Sequence, residues 1–552
     1  MDYIAAERAA LPKRQDALTA LRSGSFDLLI IGGGITGAGI ALDAASRGLS
    51  VALIEKGDFA SGTSSKSTKL IHGGLRYLKQ LDVALVREVG QERANVHRLA
   101  PHLVQPEKML IPIITDGQMG KLTTNLALKV YDFLAGVSGD DKRRMLDEEE
   151  ALAAEPMLRE DWVKGGAIYA EYRTDDARLT IENLKTAGAL GAVAVNYIKA
   201  SDLITEEGRV KGVIASDERA NETFELRAEV TVSAAGPWVD LIRRKDNSLT
   251  GKRIFHAKGV HLVVPHERFP VQQAIYFDLP DGRMCFAIPR DRATYFGTTD
   301  TPYTDDPDDV DINQDDVNYL LEGVNRIFPQ LQLREDEIES SWAGLRPLIY
   351  EEGKSASEMS RRDEIFESET GLLSIAGGKL TGYRKMSERI LDLVVERLGR
   401  GGESRTASLA LGGNGFANFD EVMDYRQEVA TLLSEHGLPQ SRAQYLTHLY
   451  GKQVDEILCL VPPEGSTELR LAIGELKFGL EREQVTTLED WAVRRTGRMY
   501  FDKTQLDELL PALSLVFAEL TNQEEATREA ELASLQSLSA EHSNFGPAAV
   551  LS

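Results

Sequence analysis

The residues Phe26-Asp27-Leu28-Leu29-Ile30-Ile31-Gly32-Gly33-Gly34-Ile35-Thr36-Gly37, followed at Leu53-Ile54-Glu55 by a second apolar run ending in an acid, restrict what this chain can fold into more than any other feature. An apolar run that stops at closely spaced glycines reads as strand, tight turn, helix and second strand. Gly32 permits the turn, Gly34 lets the backbone approach a pyrophosphate, and Gly37 lets the helix pack closely on the strand. An anion placed there meets free N–H groups at the positive end of a helix dipole. Glu55 stands 23 residues after Gly32, near the roughly 20-residue spacing at which a carboxylate takes ribose hydroxyls. The combination predicts a site for an adenine dinucleotide on a parallel sheet with helices on its faces.

The segment after the second strand separates the cofactors. A simple NAD domain would run straight into another helix, whereas Ser61-Gly62-Thr63-Ser64-Ser65-Lys66-Ser67-Thr68-Lys69-Leu70-Ile71-His72-Gly73-Gly74-Leu75-Arg76-Tyr77 is dense in small hydroxyls, cations and glycine, which suit phosphates and a ring edge. This run resembles the flavin-contacting signature of the FAD-dependent glycerol-3-phosphate dehydrogenase family: T-S-S, a few small residues, then K-L-I-H-G-G-x-R-Y. Further stretches resemble the same family in the same order: Thr174-Asp175-Asp176-Ala177-Arg178-Leu179, Ala234-Ala235-Gly236-Pro237-Trp238, Lys258-Gly259-Val260-His261, Gly297-Thr298-Thr299-Asp300, Gly344-Leu345-Arg346-Pro347-Leu348 and Gly377 to Lys385. A looser match, Trp491-Ala492-Val493-Arg494-Arg495-Thr496, resembles the L-x-R-R-T element of the family's C-terminal domain, with alanine where leucine is usual.

The resemblance implies FAD as cofactor, with Gly32, Gly34, Thr36, Gly37, Glu55, Thr63, Ser64, Ser65, Lys69, Leu70, Gly236, Gly378, Leu380 and Thr381 as its contacts. It implies oxidation of sn-glycerol 3-phosphate to dihydroxyacetone phosphate by hydride transfer to the flavin, with electrons passed on to a membrane quinone. Alternatives are the oxidase of the same family, which uses oxygen, an amine or amino-acid oxidase, and a flavin-binding regulator without turnover. The oxidase branch carries an insertion of some tens of residues, and the short interval between Asp300 and Arg346 favours the dehydrogenase.

Chemistry narrows the residues further. Negative charge that develops on a reduced flavin needs a positive partner, and Leu372 to Thr381 reads as a buried strand, a glycine turn and a new helix whose N-terminus, with Lys379 and Thr381, would supply one. Removing the hydroxyl proton needs a base with a pKa near working pH, hence histidine. His72, flanked by Gly73 and Gly74, is the first candidate and His261 its competitor. A phosphate monoester is best gripped by a planar fork, and Arg346 stands alone in an apolar, Gly/Pro-bracketed run. Arg76, Tyr77, Lys379 and Thr381 match the family's other substrate contacts, while Lys258 and Arg384 are expected to support structure or cofactor. A base together with an anion clamp argues against the regulator.

Composition sets the remaining bounds. With 63 Lys and Arg against 87 Asp and Glu the net charge is −24, which disfavours nucleic acid as partner and strong attraction to anionic lipid. The separate Cys285 and Cys459 form no C-x-x-C, so no disulfide framework or metal site is expected and a reducing cytoplasm fits. No apolar run reaches the roughly 20 residues of a membrane span, so any membrane contact is expected to be weak and peripheral. Oligomeric state, a homodimer included, stays open. The expected organisation is an α/β and α+β multidomain chain. Residues 1–24 form an N-terminal helical extension packed on the surface. Residues 25–100, 160–250 and 340–397 form a discontinuous Rossmann-like FAD-binding domain. Residues 101–159 and 251–339 form an inserted antiparallel-sheet substrate domain, 398–415 a linker, and 416–552 a C-terminal helical domain.

Overall fold

The computed structural model describes residues 3–72, 83–115, 117, 124–125, 128–130, 142–279, 281–350 and 362–546. Strand Ser25–Ile31 ends at the glycine turn, helix Ile35–Ser46 follows, and strand Val51–Ile54 returns parallel to the first, with Leu28 opposite Val51 and Ile30 opposite Leu53. Both strands are almost entirely apolar, as parallel strands covered on each face must be. The helix is buried over nearly its whole length against Asp176–Ala189 and Tyr383–Leu398. Gly39 permits that approach, since a methyl there would stand 2.5 Å from Ser387 Oγ.

On the other side of the first strand, Glu222–Ser233 pairs in parallel, and Leu373–Gly377 pairs in parallel with it, so the sheet recruits a strand from far downstream. Val193–Val195 completes one side and antiparallel Asp363–Glu367 closes the other. The hairpin expected at Glu206-Glu207-Gly208-Arg209 joins Ile198–Glu206 to Arg209–Asp217. Its two loop residues have φ of +50° and +75°, the sign that a type I′ turn requires.

A second, mostly antiparallel sheet runs in the order Thr301–Tyr303, Ile254–Pro265, Ala293–Gly297, Met284–Arg290, Ala274–Asp278, Gln105–Ile114, Val163–Arg173, Leu70–Ile71, with Ser340–Ile349 also paired to Ile254–Pro265. The architecture expected from the sequence is therefore the one observed. The boundaries differ: Leu70–Ile71, Val163–Arg173 and Ser340–Ile349, expected in the FAD-binding domain, pair in the second sheet. Their alternating or continuous apolar patterns fit either sheet, and long-range pairing decides.

Helix Gln314–Ile327 covers one face of this sheet with Val317, Leu320 and Val324. The C-terminal helices pack into the apolar cluster of the other, through Leu506, Leu510 and Leu513 among others. The glycine-rich 398–415 stretch is tied to the body by hydrogen bonds. Leu411 N–H and Asn414 Nδ2 donate to Leu99 O (3.1 and 2.9 Å), and Gly412 N–H donates to Thr186 Oγ1 (3.0 Å). The N-terminal helix Arg14–Ser23 buries Ala17, Leu18 and Leu21, and Arg14 pairs with Asp217 at 3.0 Å.

Candidate active site

The glycine turn is shaped by contact. Gly32 has φ +115°, and a methyl on it would stand 2.6 Å from Ala234 O; a methyl on Gly37 would overlap Gly32 O. The turn is closed from the second strand, because Glu55 Oε2 accepts from Gly33 N–H (2.7 Å) and Oε1 from Gly57 N–H (2.9 Å). Burial pushes the Glu55 carboxyl up, against the pull of these two donors. Ser64 Oγ accepts from Ile35 N–H (2.9 Å) and so caps the helix, while Thr63 Oγ1 donates to Leu345 O (2.6 Å). The hydroxyl run thus bridges the two sheets.

From this turn a single cavity of about 1520 Å³ runs between the sheets. Its wall includes Gly32, Gly34, Thr36, Glu55, Thr63, Ser64, Leu70 and Gly236, together with His72, His261, Arg346, Gly378, Lys379, Leu380 and Thr381. Pockets for drug-sized ligands hold roughly 300–1,000 Å³, so the space suits an extended cofactor together with a small substrate. A dinucleotide fits the residues present: a cradle that no Cβ could enter, a buried carboxylate closing the second strand onto that cradle, and the strand-to-helix turn read from the sequence. There Gly377 and Gly378 have φ of +76° and +78° and lead through Lys379 into Leu380–Gly382 and helix Tyr383–Leu398.

The candidate reactive groups line the same cavity. Thr381 Oγ1 donates to His72 O (3.2 Å), which fixes the backbone beside the imidazole, and the ring meets Phe286 edge-on at 6.2 Å. Arg346 lies over Gly259, where a methyl would overlap its Nη2. Its Nη1 donates to Asp300 Oδ1 and Thr299 O, both at 3.1 Å, and its Nη2 to Thr298 Oγ1 at 2.9 Å. His261 is buried, stacked on Trp342 at 4.9 Å, with Nε2 on Thr68 Oγ1 at 2.9 Å. Burial, and then the charges of Arg346 and Lys69, push its pKa well below the usual imidazole value. His261 is therefore neutral and a weak proton acceptor.

Some expected contacts lie elsewhere. Lys69 is not at the cavity: its Nζ pairs with Asp176 Oδ1 (2.5 Å) and donates to Ser65 O (3.0 Å), both members of the ion pair being at most 2% exposed. An ammonium whose charge is matched in the interior is spent on the fold. Ser65 is buried behind the same pair, and Gly37 acts through packing alone. Arg76 and Tyr77 lie outside the described residues. Lys258 pairs with Asp316 at 2.6 Å and Arg384 with Glu92 at 2.6 Å, as structural cations. The sequence reading missed Lys66, Trp238, Arg283, Thr298 and Asp300, which also line the cavity. Trp238, Thr298 and Asp300 belong to the family-like stretches, and a hydroxyl and an acid ending one strand were the available signal. Among the described residues no group of His, Cys, Asp or Glu could hold a metal ion, and no helix is long and apolar enough to cross a membrane.

Residues 27–384 match the family described as FAD dependent oxidoreductase, and 404–528 match the C-terminal domain of alpha-glycerophosphate oxidase. The chain is 48% identical over 500 residues to an aerobic glycerol-3-phosphate dehydrogenase of Bacillus subtilis, covering 89% of this chain and 90% of that one. It is 43% identical to the protein of the same name in Staphylococcus aureus, over 97% and 98% of the two chains. In structure it is similar to the glycerol-3-phosphate dehydrogenase of Bacillus halodurans complexed with FAD, at a TM-score of 0.83 and 41% identity over 96% of this chain and 98% of that one.

Proposed function

The chain belongs to the FAD-dependent oxidoreductases with an alpha-glycerophosphate-oxidase-type C-terminal domain, with FAD as cofactor, and from that premise we propose that it oxidises sn-glycerol 3-phosphate at C2 to dihydroxyacetone phosphate. The observation that carries this reading is that one cavity is lined by the dinucleotide cradle and also by a histidine, an arginine fork and a lysine. Relatives alike over nine-tenths of both chains bear the corresponding name.

Bound FAD would supply the two-electron acceptor for oxidation at C2. The protein supplies the rest. His72 accepts the C2 hydroxyl proton, its backbone fixed by Thr381. Arg346 and Lys379, with Arg76 and Tyr77 by family resemblance, hold the phosphate and so set which carbon faces the cofactor. Gly32, Gly34, Thr36, Glu55, Thr63, Ser64, Leu70, Gly236, Gly378 and Leu380 hold the cofactor.

A membrane quinone is the acceptor in this proposal. Between Asp300 and Arg346 the chain contains one short strand, one α-helix, one short 3₁₀ turn and the start of the strand that carries Arg346, with no room for the insertion of the oxidase branch. The protein then meets the quinone from the membrane surface. The direct test is anaerobic mixing of the holoenzyme with sn-glycerol 3-phosphate while the visible flavin band is followed. Stoichiometric bleaching supports the proposal, and a band unchanged by this substrate overturns it.

A further inference from the structure

Asp58, three residues beyond Glu55, is 2% exposed, and its carboxylate is gripped from the C-terminal domain. Oδ2 accepts from Arg494 Nε (2.6 Å) and Arg495 Nη1 (2.8 Å), and Oδ1 from Arg495 Nη2 (2.8 Å) and Asn196 Nδ2 (2.9 Å). Both arginines stand on the π-helical turn Asp490–Arg495. That turn reaches the same segment a second time. Asp490 Oδ1 accepts from Tyr197 OH (2.6 Å) and Arg494 Nη2 (3.0 Å), and Tyr197 N–H donates to Gly57 O (2.8 Å). Gly57 N–H is one of the two donors that fix Glu55. A continuous hydrogen-bonded path therefore joins the carboxylate at the dinucleotide cradle to a domain none of whose described residues lines the cavity.

The path is strong where a surface turn would not need strength. Burial alone would drive Asp58 to its neutral form, yet Arg495 and Arg494 hold it down at about 2, so it is an ionised hub at working pH. A buried carboxylate with two guanidiniums on it is rigid, because any displacement leaves charge unpaired. Rigidity is what a short turn lacks when one of its carboxylates must meet a ligand.

We propose that Arg494 and Arg495, through Asp58, are positioning residues for the cofactor: the C-terminal domain sets the geometry of the Glu55 turn and thereby part of the affinity for FAD. The inference rests on the reading of Glu55 as the ribose ligand. It predicts that the domain boundary matters for holding the cofactor and not for the chemistry on the substrate.

The test uses the full-length chain stripped of FAD and titrated with FAD by flavin fluorescence, alongside KM for sn-glycerol 3-phosphate at saturating FAD. Arg495→Gln should weaken FAD binding roughly tenfold, the worth of one hydrogen bond to a charged group, with KM unchanged; Arg495→Lys should recover part of the loss. Arg498→Gln breaks another buried pair of the same domain, Arg498 with Glu475 at 2.6 Å. It should lower thermal stability but leave FAD affinity within about twofold, as sites without shared partners do. Equal weakening by Arg498→Gln and Arg495→Gln would show a general structural effect and overturn the proposal. So would FAD affinity untouched in Arg495→Gln but weakened in Glu55→Gln. Unchanged affinity in Glu55→Gln would overturn the ribose reading and, with it, this inference. Should Arg495→Gln not fold, Tyr197→Phe removes only the hydroxyl on Asp490 and should cost about threefold in FAD affinity; no change there overturns the proposal as well.

Discussion

Replacing Arg346 by lysine keeps the charge and removes the fork, which makes Arg346→Lys the sharpest probe of the phosphate site. The guanidinium spreads its donors over two nitrogens, one on Asp300 and Thr299 and one on Thr298, at 2.9 to 3.1 Å. A lysine ammonium concentrates three donors on one nitrogen and cannot keep those contacts while turning to a phosphate. The loss is one hydrogen bond to a charged group, about 1.5–3 kcal/mol. At about 1.4 kcal/mol per tenfold, this is a roughly ten- to hundredfold rise in the dissociation constant for sn-glycerol 3-phosphate. The side chain is 21% exposed, so water screens it in part and the lower end of that range is expected. Single-turnover flavin reduction at varied substrate gives the constant directly, with glycerol as the comparator that lacks the phosphate. Gly259→Ala drives a methyl into Nη2 and should act in the same direction without touching any charge. An unchanged constant in Arg346→Lys, or an equal loss on glycerol, would refute the assignment of the anion clamp.

His72→Asn should leave FAD bound and slow flavin reduction by roughly a hundredfold, the usual scale for a positioned base; a larger loss in His261→Asn would move the base to His261. Since His261 is held neutral far below the ordinary imidazole range, it cannot supply an acid limb of kcat/KM near neutrality. His261→Asn should therefore leave that limb where it is, and a displaced limb in the pH profile would contradict this. Lys69→Met strands the buried Asp176 carboxylate and should cost about 3–5 kcal/mol of stability, read by urea unfolding; a cost below about 1 kcal/mol would mean that the pair is not matched in the interior as described. With the flavin reduced by substrate, reoxidation by a soluble quinone analogue should outpace reoxidation by air-saturated buffer, and rapid stoichiometric hydrogen peroxide would leave the oxidase instead.

The parts of this molecule that were legible in the sequence are those whose causes are local. The glycine turn, Glu55 and the Glu207-Gly208 hairpin each follow from a backbone requirement within a few residues. Partners far apart in sequence were not legible. Lys69 sits within the hydroxyl run and reads as a cofactor contact, but its counter-ion is Asp176, 107 residues away. The family-like stretch Thr174 to Leu179 serves the interior, which its sequence alone did not reveal, with Asp175 capping a helix and pairing Arg290 at 2.8 Å, and Arg178 pairing Glu483 at 2.8 Å. Glycine-rich composition marked 398–415 as a linker but not its partners, and hydrogen bonds to Leu99 and Thr186 tie it to the rest of the chain. No pattern in one strand reveals which carboxylate will face it.

A net charge of −24 is compatible with the dianionic substrate proposed above. Total charge acts over distances that salt screens within about 8–10 Å, whereas the cavity wall is decided by neighbours in contact. Arg346 shares Asp300 at 3.1 Å and Arg283 pairs with Asp281 at 2.6 Å, so neither guanidinium is left as a bare charge in a half-buried wall, a state that would be costly. The Arg346 pair is longer than the roughly 2.7–2.9 Å of a strong charge-assisted bond. On the proposed reading, a phosphate entering beside Arg346 would compete with Asp300 and offer two oxygens in return. Binding would then be an exchange of anions at a fixed fork, which is why the fork's geometry, and not the positive charge alone, should govern affinity.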